Sequence, residues 1–315
     1  RDVQLRNPFA TIYTSGVAIP TATRIFQDGD FALPIVSLPS NHPGQGNLGA
    51  VQQSYNAYYT LSGGDIRIAA GNDIGRFTRS GGVVVPDASR QLPTNWLYRR
   101  GQVDPSTGLF STGGVGTGGL GTFTDASAST TWWVDFSNYF GGFGALGGGD
   151  VSLFAGRDLV NADASVPTNA RMAGLSAGQR IAPSMDKLQE IGGGDLNLSA
   201  GRNIDGGSFH VERGSALLTA GSEVTTNSAQ SPSRGLMGTT GQSALILDEL
   251  VWQPVTLFGS RTDFTVNARS NVLLGPVTNA FLLPQGLNNK FWYKTQFNTI
   301  DASSSADVNS FGGSI

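Results

Sequence analysis

The 315-residue chain contains no cysteine. Disulfides and thiolate metal sites are therefore excluded, the redox compartment stays open, and passage across an outer membrane in an unfolded state is compatible with the composition. Charge is scarce as well. Asp, Glu, Lys and Arg make up 14% of the residues, against about 25% in typical soluble domains. The net charge is −3 and the isoelectric point about 5.3, so nothing favours nucleic-acid phosphates or an anionic membrane surface. No apolar run approaches the ~18 residues that cross a bilayer; the longest, at residues 244–252, is broken by Asp248 and Glu249. With only His42 and His210 and no cysteine, histidine cannot build a metal site, and neither a metal nor a cofactor is expected.

What is abundant is glycine, 44 residues in all. With Ser, Thr and Asn it supplies a polarity that suits strands and tight turns better than helix interiors. Against this background one phrase recurs. "GGGDVSLFAGRDL" occupies residues 147–159 and "GGGDLNLSAGRNI" residues 192–204, while "GGDIRIAAGNDI" fills residues 63–74. Shorter echoes are "MAGLSAGQRI" at 172–181, "SALLTAGSEV" at 215–224 and "DFTVNARSNV" at 263–272.

Each part of the phrase has a mechanical reading. The glycines supply positive φ for a turn, and Asp65, Asp150 or Asp195 can bond its own backbone there. Leu196, Leu198 and Ala200 alternate with Asn197 and Ser199 as in a half-buried strand. The glycine after Ala marks a corner with little room for a side chain. The marker glycines are Gly71, Gly156, Gly178, Gly201 and Gly221, with Arg269 next in the series and steps of 22, 23 and 20 residues from Gly156 onward. The gaps of 85 and 48 residues call for worn copies or inserted loops.

These features predict an all-β fold, a right-handed parallel β-helix running through residues 1–315 as one domain, with a large loop insertion within 75–147. At about 21 residues per turn the chain would hold at most roughly fifteen turns, about 70 Å of shaft. The start of the chain, "RDVQLRN" without initiator Met or signal peptide, reads as a segment of something longer.

The phrase resembles the shaft repeats of filamentous-haemagglutinin-like large exoproteins, the bacterial adhesins of two-partner secretion. About a third of the chain carries the resemblance directly. It implies secretion to the bacterial cell surface through an outer-membrane transporter partner, and a structural or adhesive role without catalysis. The expected contacts are a host-cell surface glycan or protein, or neighbouring chains of a fibre. Two other readings stay open: a carbohydrate-active β-helix enzyme, and the stalk of a contact-dependent toxin-delivery exoprotein.

Motifs of catalytic type are outweighed by plainer readings. "GLSAG" at 174–178 fits a nucleophile elbow around Ser176, but Ser176 falls where Ser199 falls in the repeat. "GTGGLG" at 116–121 lies in a glycine-rich loop, not between a strand and a helix. Calcium at Asp150 and Asp195 is disfavoured, because calcium nonapeptides recur every nine or so residues. Carboxylate pairs that could cleave polysaccharides are Asp125 with Asp135 and Asp158 with Asp163; Asp186 and Glu190 suit a solvated helical turn.

Aromatic clusters are the remaining candidates for contact. "TTWWVDFSNYFGGFG" carries Trp132, Trp133, Phe136, Tyr139, Phe140 and Phe143. "KFWYK" carries Phe291, Trp292 and Tyr293, and Trp96 and Tyr98 precede Arg99 and Arg100. On a strand, Trp132 and Trp133 point to opposite faces, so a further layer must cover one of them. The candidate contact residues are Trp132, Trp133, Tyr139, Phe291, Trp292 and Tyr293, either stacking sugar rings or packing inserted loops against the shaft.

Overall fold

The computed structural model describes residues 1–7, 9–18, 59–87, 93–100, 102–103, 110–111, 131–136, 139–172, 188–226, 254–280 and 302–315. The predicted alternation is realised residue by residue. In Val151–Ala155 and Leu196–Ala200 the first, third and fifth side chains are buried and the two between are half-buried. Such a strand hides one face only when neighbours on both sides continue the apolar surface.

They do so in parallel. Ile66–Ala70, Val151–Ala155, Leu196–Ala200, residues 216–220, residues 264–268 and Ser305–Ser310 form a first ladder, each strand in register with the next. Like residues therefore stand over like. Ile68, Leu153, Leu198, Leu218, Val266 and Val308 make one inward column, and its four middle members are fully buried.

A second parallel ladder joins Val3–Leu5, Ile74–Ser80, Leu159–Val160, Ile204–Asp205 and Val224–Thr225, with Val272 bridged to its end. A third joins Ile12–Thr14, Phe143–Ala145, Ala164–Val166, residues 208–211, the start of Val255–Ala268 and Leu274–Thr278. The chain visits the second, third and first ladders in that order and then begins again. The inward residues of all three meet in one core that includes Ile74, Leu159, Ile204, Phe143, Phe209, Leu257 and Phe264.

The glycine after Ala is explained by what lies behind it. A Cβ on Gly156 would sit 2.3 Å from the Gly71 carbonyl oxygen, one on Gly201 2.2 Å from that of Gly156, and one on Gly221 2.2 Å from that of Gly201. No side chain fits there without prising the strands apart. Arg269 takes the next place in this column. Its backbone N–H reaches the Ala220 carbonyl at 3.2 Å, whereas the equivalent bonds of Gly156, Gly201 and Gly221 are all 2.9 Å.

Two expectations from the sequence change. Val151–Ala155 and Leu196–Ala200 are direct neighbours, so the steps through Gly178 are not two successive rungs; Gly178 itself lies outside the described residues. The gap between Gly71 and Gly156 contains no worn rung either, because Ile66–Ala70 and Val151–Ala155 also pair directly. Inserted segments leave and return to the stack, and among the described residues the first ladder has six strands, spanning about 24 Å at ~4.8 Å per step.

Parts of two such insertions meet. Leu97–Arg100, Thr131–Val134, Thr168–Met172 and Leu188–Gly192 form a four-stranded antiparallel sheet. A short hairpin, Ile74–Ser80 with Val83–Pro86, also departs from the second ladder. Glu190 pins this layer: it lies 3.8 Å from Arg213, pairs with Arg261, and its side chain is 8% exposed. Arg213 and Arg261 stand over one another on adjacent strands. Glu190 thus belongs to a strand rather than to a helical turn.

Candidate functional site

The acids of the repeated phrase are the first groups to place. Asp65 Oδ1 accepts the backbone N–H of Asp150 at 2.9 Å, and Asp150 Oδ1 that of Asp195 at 2.8 Å. Asp195 Oδ1 in turn accepts the N–H of Ser215 at 2.8 Å and its hydroxyl at 2.9 Å. Each carboxylate therefore caps the next rung rather than its own turn, the partner expected from sequence. Asp195→Ala should lower stability by about 1–2 kcal/mol and Asp195→Asn by clearly less, as read from urea unfolding.

A second acid column follows the marker glycines. Asp73 Oδ1 accepts the N–H of Asp158 at 3.2 Å, Asp158 Oδ1 that of Asn203 at 3.0 Å, and Asn203 Oδ1 that of Glu223 at 3.2 Å. Arginine reinforces it from one rung onward: Arg157 pairs with Asp73 and Arg202 with Asp158. The Arg157 hydrogen bond holds the Asp73 carboxyl below its ordinary range against the opposing effect of burial, and both guanidiniums are raised by their carboxylate partners. The "RD" and "RN" of the phrase are thus a ladder of charge-assisted ties.

Asp205 is the exception. Its Oδ1 has no hydrogen-bond partner, and burial, helped by the nearby Asp158 charge, raises its pKa to about 6. A carboxyl whose folded pKa exceeds its unfolded value favours the fold fully below about pH 4 and loses that contribution as pH rises through about 6. Asp73, with its lowered pKa, contributes above the unfolded range and loses that contribution as pH falls below it. Asp205→Asn should therefore raise stability at pH 7.5 by about 1–3 kcal/mol and leave it almost unchanged at pH 3.5. Denaturant melts at the two pH values check this.

The aromatic candidates are internal. Trp132, Trp133 and Tyr139 are 3%, 4% and 1% exposed, so none offers a face to a ligand. Trp132 packs with Trp96, Val134 and Tyr139, and its Nε1 donates to Thr168 Oγ1 at 3.0 Å. Trp133 faces the other way, onto Tyr59 and Ile191. Both tryptophans belong to the inserted sheet itself, and each of its faces is covered at this point, one by Trp96, Tyr139 and Leu146 and the other by Tyr59. The Tyr139 hydroxyl donates to the Phe143 carbonyl at 2.9 Å, and burial pushes its pKa well above the usual phenol range. Phe291, Trp292 and Tyr293 lie outside the described residues.

Beneath this layer sits a pair that the sequence reading left unconnected. His210 Nε2 is 3.0 Å from Glu212 Oε2, both side chains being 1% exposed, and the edge of Trp96 meets the imidazole at 5.5 Å. The signal was the two-residue spacing, which puts both on the same face of Ser208–Ala220. At that burial neither side chain presents an atom to a substrate in solution.

Asp158 and Asp163, the one candidate carboxylate pair with both members among the described residues, each hold a partner elsewhere. Asp158 is tied to Arg202, while Asp163 Oδ1 accepts the N–H of Ser208 at 2.7 Å. Asp135 is half-buried beside the Trp96 backbone, whose carbonyl accepts its N–H at 2.8 Å; Asp125, Asp186, Ser176 and His42 lie outside the described residues. Among the described residues no three His, Asp or Glu gather closely enough to hold a metal ion, and no helix is long and apolar enough to cross a membrane.

Exposed aromatic surface does occur where no phrase marks it. Phe9 is 64% and Tyr13 40% exposed; Phe9 meets Phe140 edge-on at 5.2 Å, and Tyr13 stacks on Phe136 at 6.0 Å. Comparison with known proteins gives no relative to set beside this geometry: no family model, no curated protein and no solved structure matches the chain.

Proposed function

We propose that the chain is a structural and adhesive shaft segment of a large secreted bacterial surface exoprotein of the filamentous-haemagglutinin-like kind, its ladders closing into a right-handed parallel β-helix. The observation that carries this reading is the use made of the acids. Asp65, Asp150, Asp195, Asp73 and Asp158 all hold the next rung, whereas a polysaccharide-cleaving enzyme on such a scaffold needs two or three acids facing one groove. The cyclic visit to three parallel ladders supports a helical path, and its hand follows the general chirality of parallel crossovers.

In this reading the stack supplies length and stiffness, and the insertions supply contact surface. Phe291, Trp292 and Tyr293 are the proposed contact residues for a host-cell glycan or protein. Export would use an outer-membrane transporter, which threads an unfolded chain and is compatible with the absence of cysteine. The test is to incubate the purified chain with neutral and acidic polysaccharides and, in parallel, with host cells. Retention on cells with no release of new sugar ends is expected. Depolymerisation above that of a heat-unfolded control would overturn the reading.

A further inference from the structure

We infer that the His210–Glu212 pair is a pH-sensitive latch, which holds the inserted layer closed on the shaft while the two side chains share one proton and loosens it when they hold none or two. This goes beyond the proposed function and does not depend on what the chain contacts. His210 stands between Ser165 and Phe258 on the outer face of the third ladder, while its strand neighbours Phe209 and Val211 point into the shaft core. Trp96 closes over the imidazole at 5.5 Å. It belongs with Trp132, Val134, Tyr139 and Ala170 to an apolar cluster distinct from that core. The pair therefore lies at the seam where the inserted layer meets the shaft.

Its bonding leaves no compensation for a change of charge. His210 Nε2 and Glu212 Oε2 are 3.0 Å apart with both side chains 1% exposed, and neither His210 Nδ1 nor Glu212 Oε1 has a hydrogen-bond partner among the described residues. With one proton between them the two groups are neutral as a whole. With none they bury a negative charge, and with two a positive one, and either is costly away from water. Opened to water, an imidazole and a carboxylate ordinarily share one proton between about pH 4.3 and about pH 6.5, hold none above and two below. The closed layer is therefore favoured most in that interval and weakens on either side of it.

Other ionisable groups line the surrounding elements. In the inserted layer, Tyr139 stays a neutral phenol because burial pushes its pKa well above the usual range. Asp135 bonds through its backbone to Trp96, and Glu190 is held by Arg213 and Arg261 of the shaft. Asp163 Oδ1 accepts the Ser208 N–H at 2.7 Å, and Arg76 donates to the Phe140 carbonyl at 2.8 Å. All of these stay in place when only residue 210 or 212 is changed, so a comparison of such variants isolates the pair.

The chain has no cysteine, so V134C, a fully buried site in the inserted layer, can report opening through its labelling by dithiodipyridine. A urea-unfolded control at each pH cancels the thiol's own titration, and V266C, in the shaft core, reports unfolding of the stack. Protection of V134C should rise by up to about tenfold per pH unit from about pH 8 to about pH 6.5 and then level off. In the E212Q background only the imidazole titrates. Protection should there exceed that of the parent near pH 8 and fall on acidification below about pH 6.5, the reverse slope. In the H210Q background it should go on rising to about pH 4.3. V266C should be the better protected site in the parent throughout. Circular dichroism establishes that the variants fold, and if one does not, the profile of the other decides. A parent profile without pH dependence, an E212Q profile parallel to it, an H210Q profile that levels where the parent does, or equal labelling of the two sites would overturn the inference.

Discussion

Gly201→Val should destabilise the protein by about 3–4 kcal/mol, whereas Gly71→Ala should be neutral or stabilising by up to about 1 kcal/mol. Both residues hold the same place in the repeated phrase, so a view of the phrase as a set of flexible corners predicts similar outcomes. The stack predicts opposite ones. A side chain on Gly201 meets the Gly156 carbonyl oxygen at 2.2 Å, while the nearest atom to a Cβ on Gly71 is the Arg1 backbone nitrogen at 3.7 Å, an ordinary contact. At Gly71 the only consequence left is the smaller entropy of the unfolded chain. Gly156→Val and Gly221→Val should behave like Gly201→Val, their Cβ positions being 2.3 and 2.2 Å from the carbonyl below. Urea midpoints with unchanged m-values are the measurement, since an altered m would signal a change other than native stability.

The second large effect separates adjacent residues of one strand. Leu218→Ala should cost about 3–5 kcal/mol, within the range seen for leucine truncation in close-packed cores. Leu217→Ala should cost less than about 0.5 kcal/mol. Leu218 is fully buried between Leu198 and Val266 in the inward column, and Leu217 is 39% exposed on the outer face. The neighbours of Leu218 belong to two different strands held by backbone hydrogen bonds, so the cavity cannot collapse cheaply. A slip of one residue in the register would reverse the two results.

Much of this architecture was legible in the phrase itself. Alternation in "DLNLSAG" announced which side chains turn inward, and the glycine after Ala announced a close approach. What the sequence could not supply was the partner of each strand. A parallel neighbour can lie any distance along the chain: Asp150 is capped from 85 residues away, Asp195 from 45 and Ser215 from 20. The 172–181 echo suggested an extra rung because it has the right letters, yet the rungs on either side of it pair with each other. Conversely, Val3–Leu5 and Ile12–Thr14 join the ladders without any phrase.

The candidate site was less legible, for a related reason. Aromatic density at residues 132–143 identified a place where something large must be covered, but not whether by ligand or by the chain's own insertion. Strands from two insertions separated in sequence pair into one sheet that carries Trp132 and Trp133 and encloses them, and neither carries a local signal of the other. The destination of the acids was hidden similarly: Asp in a glycine-rich turn ordinarily bonds its own backbone, and only stacking brings the next rung's N–H within 2.8 Å of Asp150 Oδ1.

The claim on which the rest depends is that rungs distant in sequence are direct neighbours. The absence of cysteine makes it directly testable, because two introduced thiols have no competitors. Ser152 and Asn197 are register partners on the outer face of the first ladder, and Leu217 lies one strand beyond Asn197. Under mild oxidation the Ser152→Cys, Asn197→Cys variant should form an intramolecular disulfide, its Cα atoms being about 4.8 Å apart. Ser152→Cys with Leu217→Cys, at about 10 Å, should not. Cross-linking of the second pair in preference to the first would contradict the stacking order, and with it the explanation offered for the repeated phrase.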